Sequence, residues 1–180
     1  MAACALLVLS APPARSAGPA PAALRGNSIL LKWDETRTLA NVDNPERQFL
    51  SSFAASVSLY VGSTGRIFST FERSSGAPQA AASNVSDGSE KDVTEETLHW
   101  RFEGGALSGY LTFVSGVRKI SVVFSDGFKS CSMTTFYGKD RGAPVVIRSR
   151  TNGWQFTLLQ ATINSTSCLV REGNVFGKAE

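Results

Sequence analysis

The only histidine in the sequence, His99, is the residue on which any histidine-based acid–base chemistry would depend. Arg101 and Glu103 follow it at a spacing of two, so in a strand the three side chains would share one face. Such a Glu–His–Arg cluster could serve a hydrolase that pairs His99 with a carboxylate. Because no serine or cysteine nucleophile can be assigned to it, we expect instead a histidine on a solvated sheet face.

The cysteines suggest a structural role. If Cys4 is lost with an N-terminal leader, Cys131 and Cys168 remain as an even pair, which in an exported chain indicates a disulfide. The alternative is two separate buried thiols. A structural zinc site needs about four ligands, which one histidine and two cysteines do not supply, and the C-x-x-C spacing of a redox pair is absent. We therefore expect a Cys131–Cys168 disulfide, no catalytic or metal-binding residues and no cofactor.

Residues 1–25, MAACALLVLSAPPARSAGPAPAALR, resemble a secretory signal peptide. A short apolar core is followed by a tail rich in Pro, Ala, Gly and Ser. The A-x-A motif at residues 20–22 fits a cleavage site, the bond after Ala17 is an alternative, and we expect a mature domain that begins near Gly26. A disordered low-complexity arm and a lipoprotein anchor at Cys4 are the other interpretations.

The charge of the chain disfavours nucleic acid as a partner. Its formal net charge is +3, but Arg15 and Arg25 lie in the leader, and without them basic and acidic residues nearly balance. Such a domain has no long-range field that would attract nucleic acid or an anionic membrane. No apolar run approaches the roughly 20 residues of a membrane-spanning helix. With the leader and the disulfide, this predicts a periplasmic or extracellular protein without a membrane span.

A period of two dominates the sequence after the leader, which indicates β-strands. Turn signals at 62–65, 104–105, 115–116 and 126–127 separate the segments. We predict an all-β protein, an antiparallel β-sandwich of about nine or ten short strands, in a single domain over 26–180. The apolar residues that alternate in this way are Ile29, Leu31 and Trp33; Ala55, Val57, Leu59 and Val61; and Leu98, Trp100 and Phe102.

Other segments carry different signals. Asn44-Pro45-Glu46 combines an N-cap residue, a first-turn proline and an early acid, which predicts a short helix near 45–53. Residues 74–96 contain almost no large apolar side chain, so we expect a mobile surface loop, or alternatively a binding loop or lid. The C-terminal region predicts separate strands at PVVIRS, WQFTLLQATI and SCLV. Asp34 and Glu35 follow the first strand without an identifiable partner.

Four segments, NSILLKWDETR, SLYVGSTGRIFS, FKSCSMTTFYGKD and SCLVREGNVFG, resemble a group of small exported bacterial β-proteins of no known function. The resemblance implies export and the disulfide, but no activity, substrate or site. We therefore expect a non-catalytic exported domain that binds an unidentified protein or glycan, or a cell-envelope surface. The alternatives are an accessory or assembly protein that pairs through a sheet edge, and the hydrolase that uses His99.

Overall fold

The structure is a computed structural model that describes residues 20–75, 98–113, 116–139, 144–149 and 152–177. Nine strands lie within these residues: β1 (Asn27–Asn41), β2 (Gln48–Val61), β3 (Ile67–Ser75), β4 (Leu98–Glu103), β5 (Ala106–Phe113), β6 (Gly116–Ser125), β7 (Ser130–Lys139), β8 (Val146–Arg148) and β9 (Gln155–Glu172). They form a five-stranded sheet in the order β3-β2-β1-β9-β8 and a four-stranded sheet in the order β4-β5-β6-β7. Every strand pair is antiparallel, so the predicted all-β sandwich is confirmed.

The period-two pattern sets which face of each strand meets the core. Ile29 pairs with Leu59 and Trp33 pairs with Ala55, so both strands turn their large apolar side chains to the same side. The four-stranded sheet supplies the facing layer. Removing each such side chain from water contributes about 1.5–3 kcal/mol. The residues that the facing layer buries are Trp100, Phe102, Leu107, Ile120, Val122 and Met133.

Three of the predicted turns join neighbouring strands as hairpins. Between β2 and β3, the Gly62 amide donates to the Arg66 carbonyl at 2.8 Å, and the Gly65 amide donates to the Gly62 carbonyl at 2.9 Å. Gly65 has a φ of +86°, a conformation that glycine adopts without steric cost. Residues 104–105 connect β4 to β5, and a short 3-10 turn at 126–128 connects β6 to β7. The fourth predicted turn, at 115–116, falls partly on a residue outside the described ranges.

The predicted helix near 45–53 is wrong, because most of this segment belongs to β2. Residues 48–53 pair with β1 in continuous register, and Phe49 packs edge-on against Phe156 of β9 at a ring-centroid distance of 5.0 Å. The cap-like residues form a tight connection instead, in which Asn41 Oδ1 accepts hydrogen bonds from the amides of Asp43 and Asn44. Pairing with a long neighbouring strand has overridden the local helix signal.

The C-terminal segments WQFTLLQATI and SCLV were predicted as separate strands, but they form one 18-residue strand, β9. This strand pairs with β1 along its length. Its register shifts twice, because Leu159 and Asn164 are extra residues without partners on β1. Such bulges let a strand stay paired across a stretch whose sequence looks like a break. Of the predicted loop at 74–96, residues 74–75 belong to β3 and the rest lies outside the described residues.

The predicted disulfide is present: Cys131 of β7 is bonded to Cys168 of β9, with a Cα–Cα distance of 5.5 Å. Since β7 and β9 belong to different sheets, the bond connects the two layers of the sandwich. The predicted leader lies mostly outside the described residues, but Ala20 and Leu24 pack into the core, and Leu24 is fully buried. Among the described residues no helix has the length and apolar character needed to cross a membrane.

Candidate functional site

Strand β9 leaves much of one edge open. Its first edge pairs with β1 as far as Glu172. On its second edge β8 pairs only with residues 155–157, and one further bond joins the Leu158 amide to the Val145 carbonyl at 2.8 Å. From Leu159 onward, no strand that the structure describes pairs with this second edge. Strand β7 is the last strand of its own sheet, so it also has one edge without a described neighbour.

A groove of about 300 Å³ lies between β7 and β9. Consecutive residues of both strands line it, and since consecutive side chains point to opposite faces, only a strand edge can present them together. The groove therefore follows the two open edges. Phe136 and Leu159 are on its rims, and about half of the surface of each is exposed. The lining residues are Thr135, Phe136, Tyr137, Val145, Leu158, Leu159, Gln160, Ala161 and Ile163.

Neither edge carries the residues that usually protect a sheet from unwanted pairing. The sequence contains no charged residue and no proline from Trp154 to Val170, or from Ser130 to Gly138. Natural sheets usually place lysine or proline on an exposed edge, shorten it or twist it away with bulges. In β9 only the two bulges are present. The edges beside the groove thus remain chemically suited to accept another strand.

Behind the groove, the sandwich interior contains a layer of charged side chains, the charged layer, made of Glu35, Arg37, Arg73 and Arg118. Glu35 is fully buried and forms an ion pair through Oε2 with Nη2 of Arg118. Nη1 of Arg118 also donates to the Thr135 hydroxyl at 2.9 Å. Glu35 lies on β1 and Arg118 on β6, so this pair crosses from one sheet to the other.

Aromatic rings enclose these guanidinium groups. Cζ of Arg118 lies 4.0 Å from the ring centroid of Tyr137 and 5.4 Å from that of Trp33. Nη1 of Arg37 lies 3.5 Å from the Tyr137 hydroxyl oxygen. Cation–π contacts of this type partly replace the water that burial removes from a cation. Burial raises the pKa of Tyr137, although the positive charges of Arg118 and Arg37 act in the opposite direction.

The sequence alone identifies no partner for Glu35, and the structure supplies Arg118. β1 does not end after Trp33, and its odd-numbered positions continue inward through Glu35 and Arg37 to Leu39. The sequence contains a signal for this longer strand, because the inward positions 29, 31, 33, 35, 37 and 39 form one unbroken period-two series. Arg37, Arg73 and Arg118 were missed, since charged residues at inward positions are normally assigned to the solvated face.

His99 lies on β4, opposite Tyr110 of β5 in the register, and its side chain is outside the described part of the structure. The neighbouring Trp100 is buried, as the alternation predicts. Arg101 and Glu103 form an ion pair at 2.8 Å in which both side chains reach solvent. β4 occupies the edge of the four-stranded sheet opposite β7, so the structure does not bring His99 to the groove.

Neither protein-family models nor curated proteins nor solved structures give a match to this chain.

Proposed function

We propose that this protein is a non-catalytic binding module that accepts an extended, uncharged polypeptide segment along the open edges of β7 and β9. The observation that carries the proposal is the edge of β9, which from Leu159 lacks a described strand partner and contains neither charge nor proline up to Val170. An extended segment that adds to such an edge gains main-chain hydrogen bonds, while its alternate side chains give specificity.

The groove favours a single extended segment over a second folded copy of the chain. The disulfide joins β7 to β9 at Cys131 and Cys168, so the two open edges belong to strands that are held beside each other. The exposed rings and methyl groups of Phe136 and Leu159 would pack against apolar side chains of the segment. We therefore expect a segment in which apolar residues alternate with small polar ones.

In this proposal the protein functions outside the cytoplasm, after a leader has directed its export. A disulfide that joins the two sheets persists in an oxidising compartment. The hydrolase alternative has less support, because the groove lies at the opposite edge of the four-stranded sheet from the strand that carries His99.

A test uses an eight-residue peptide in which valine alternates with threonine. Two further forms of this peptide are N-methylated at every second residue, each form along a different edge of the extended peptide. N-methylation removes the donors of one edge and leaves side chains unchanged. We expect the unmodified peptide and one methylated form to bind and to slow amide exchange within residues 159–166, the eight positions that the peptide covers from the rim of the groove, whereas the other form fails. Equal binding of all three forms, or binding of none, would contradict strand addition.

Side-chain variants give the matched control. Leu159→Lys places a charge on the rim of the groove, and we expect it to weaken peptide binding at least about tenfold. Leu169→Lys places the same charge on β9, at a side chain that is exposed to a similar degree and does not line the groove. This variant should bind as the wild type does. Equal losses in both variants would place the binding surface elsewhere on β9.

A further inference from the structure

Two guanidinium groups of the charged layer share one aromatic ring. Cζ of Arg37 lies 4.5 Å and Cζ of Arg73 lies 4.0 Å from the ring centroid of Phe53. Arg37 is almost completely buried, whereas Arg73 is half-buried on β3, at the outer edge of the five-stranded sheet. Two like charges therefore contact the same ring, and Arg73 connects this cluster to solvent.

The charges of the layer do not balance within the described residues. Three guanidinium groups face the single carboxylate of Glu35, which leaves an excess of two positive charges. Glu35 already pairs with Arg118, and its other oxygen lies 3.9 Å from Nε of Arg37. Arg73 forms no ion pair with any residue that the structure describes. The Nε groups of Arg37 and Arg73 are both buried, and neither has a hydrogen-bond partner among the described residues.

This imbalance destabilises the protonated form of Arg73. Burial and then the charge of Arg37 lower the pKa of Arg73 to about 10, although Tyr137 and Glu35 raise it and Arg118 adds to the lowering. A counter-ion would therefore stabilise the protonated form of Arg73. An oxyanion would neutralise part of the excess positive charge and accept hydrogen bonds from the unpartnered Nε–H groups. Guanidinium groups bind planar or tetrahedral oxyanions through paired, charge-assisted hydrogen bonds.

We propose that Arg37 and Arg73 form a binding site for an oxyanion of the carboxylate or phosphate class. The site is entered beside β3, whereas the groove lies between β7 and β9 and touches the site only through the contact of Arg37 with Tyr137. The proposal does not rest on the proposed function. In this proposal the anion accepts hydrogen bonds from Nε–H of Arg73 and from the guanidinium group of Arg37. It neutralises part of the excess charge, and the face of Phe53 positions the two guanidinium groups.

Thermal unfolding at constant ionic strength tests the proposal, with sodium chloride replaced stepwise by sodium acetate or inorganic phosphate. We expect the wild-type melting temperature to rise with the logarithm of the oxyanion concentration, because a ligand that binds only the folded state stabilises it by mass action. Arg73→Gln should lose this dependence. Arg101→Gln removes the same charge from an exposed position on β4 and should retain it. A stronger response to acetate would indicate a ligand-borne carboxylate, and a stronger response to phosphate a phosphorylated ligand or the free ion.

A second measurement needs no substitution. The Nε–H signals of Arg37 and Arg73 in a ¹⁵N NMR spectrum should shift together and saturate as acetate or phosphate is added. Chloride at equal ionic strength should leave them unchanged. The proposal is overturned if neither oxyanion shifts these two signals, or if Arg73→Gln and the wild type gain stability equally.

Discussion

Glu35 and Arg118 form a buried ion pair that connects the central strand of one sheet to an inner strand of the other. Both side chains are almost fully removed from water. A pair of this kind adds little net stability compared with apolar side chains, yet losing one partner is severe because the other charge remains buried.

Arg118→Met should therefore lower the free energy of unfolding by about 3–5 kcal/mol, because it removes the closer of the two guanidinium partners of the buried Glu35 carboxylate. Arg101→Met, which removes an exposed ion pair with Glu103, should cost about 0–1 kcal/mol. The double variant Glu35→Leu/Arg118→Met should recover little of the first loss, because it leaves the buried Arg37 without the carboxylate that lies 3.9 Å from its Nε. Urea unfolding of the variants measures these differences, and equal costs for the two single substitutions would show that the inner pair is hydrated.

The disulfide should contribute about 2–4 kcal/mol, because it limits the freedom of the unfolded chain between Cys131 and Cys168, which are separated by 37 positions. Replacing both cysteines by alanine should lower the urea midpoint accordingly. Before reduction, alkylation should add no mass at either residue. Alkylation of both cysteines in the unreduced protein would contradict the bond and weaken the inference of export.

Leu24→Ala should cost about 2–5 kcal/mol, since it removes a fully buried side chain from the core. The control Leu50→Ala changes an exposed leucine on β2 and should stay within about 0.5 kcal/mol. A chain that begins at Gly26 should then melt below one that begins at Gly18. Equal melting temperatures would show that the first residues of the domain are dispensable.

The packing of Leu24 also favours a cleavage site that precedes it, and N-terminal sequencing of exported protein would identify that site.

The pH dependence of stability should reveal the buried phenol of Tyr137. Its pKa is raised in the folded state, so its contribution is fully present below the unfolded value of about 10 and is lost as the pH rises through the folded value. Tyr137→Phe cannot lose this contribution. Above about pH 10, the unfolding free energy of the wild type should therefore fall relative to that of Tyr137→Phe. A constant difference up to pH 11 would contradict a raised pKa.

Gly109→Ala should destabilise the protein by about 1–3 kcal/mol, because a Cβ at this position would lie 2.5 Å from Cζ3 of Trp100. Trp100→Ala should cost about 3–5 kcal/mol, and His99→Ala no more than about 0.5 kcal/mol. Urea unfolding compares the three. If His99→Ala caused the largest loss of unfolding free energy, or if it abolished an activity of the wild type, the hydrolase would become the favoured function.

The sequence was informative where period two and apolar character coincide, as from Ile29 to Trp33 and from Ala55 to Val61. The pattern became ambiguous where polar residues occupy inward positions. Glu35 and Arg37 continue the series of β1, but their meaning depends on Arg118 and Tyr137, which come from the other sheet. Contacts between residues distant in the chain carry no local signal.

Local signals were also misleading where tertiary pairing decides the outcome. Asn44 and Pro45 resemble a helix start, yet the following residues gain more by pairing with β1. The polar run around Asn164 resembles a break, yet a bulge carries β9 across it. The open edges beside the groove could not be predicted either, because a strand is an edge only in relation to the strands that surround it.

The pairing of β1 with β9 has a consequence for how the protein is made. The first and last strands that the structure describes are neighbours in the five-stranded sheet, paired from Asn27 to Asn41 of β1. On a ribosome, β1 emerges long before β9 and stays without this partner until β9 has been synthesised. Folds dominated by such distant pairings form slowly. The central strand pair of this sheet thus cannot form on the nascent chain until β9 has been synthesised.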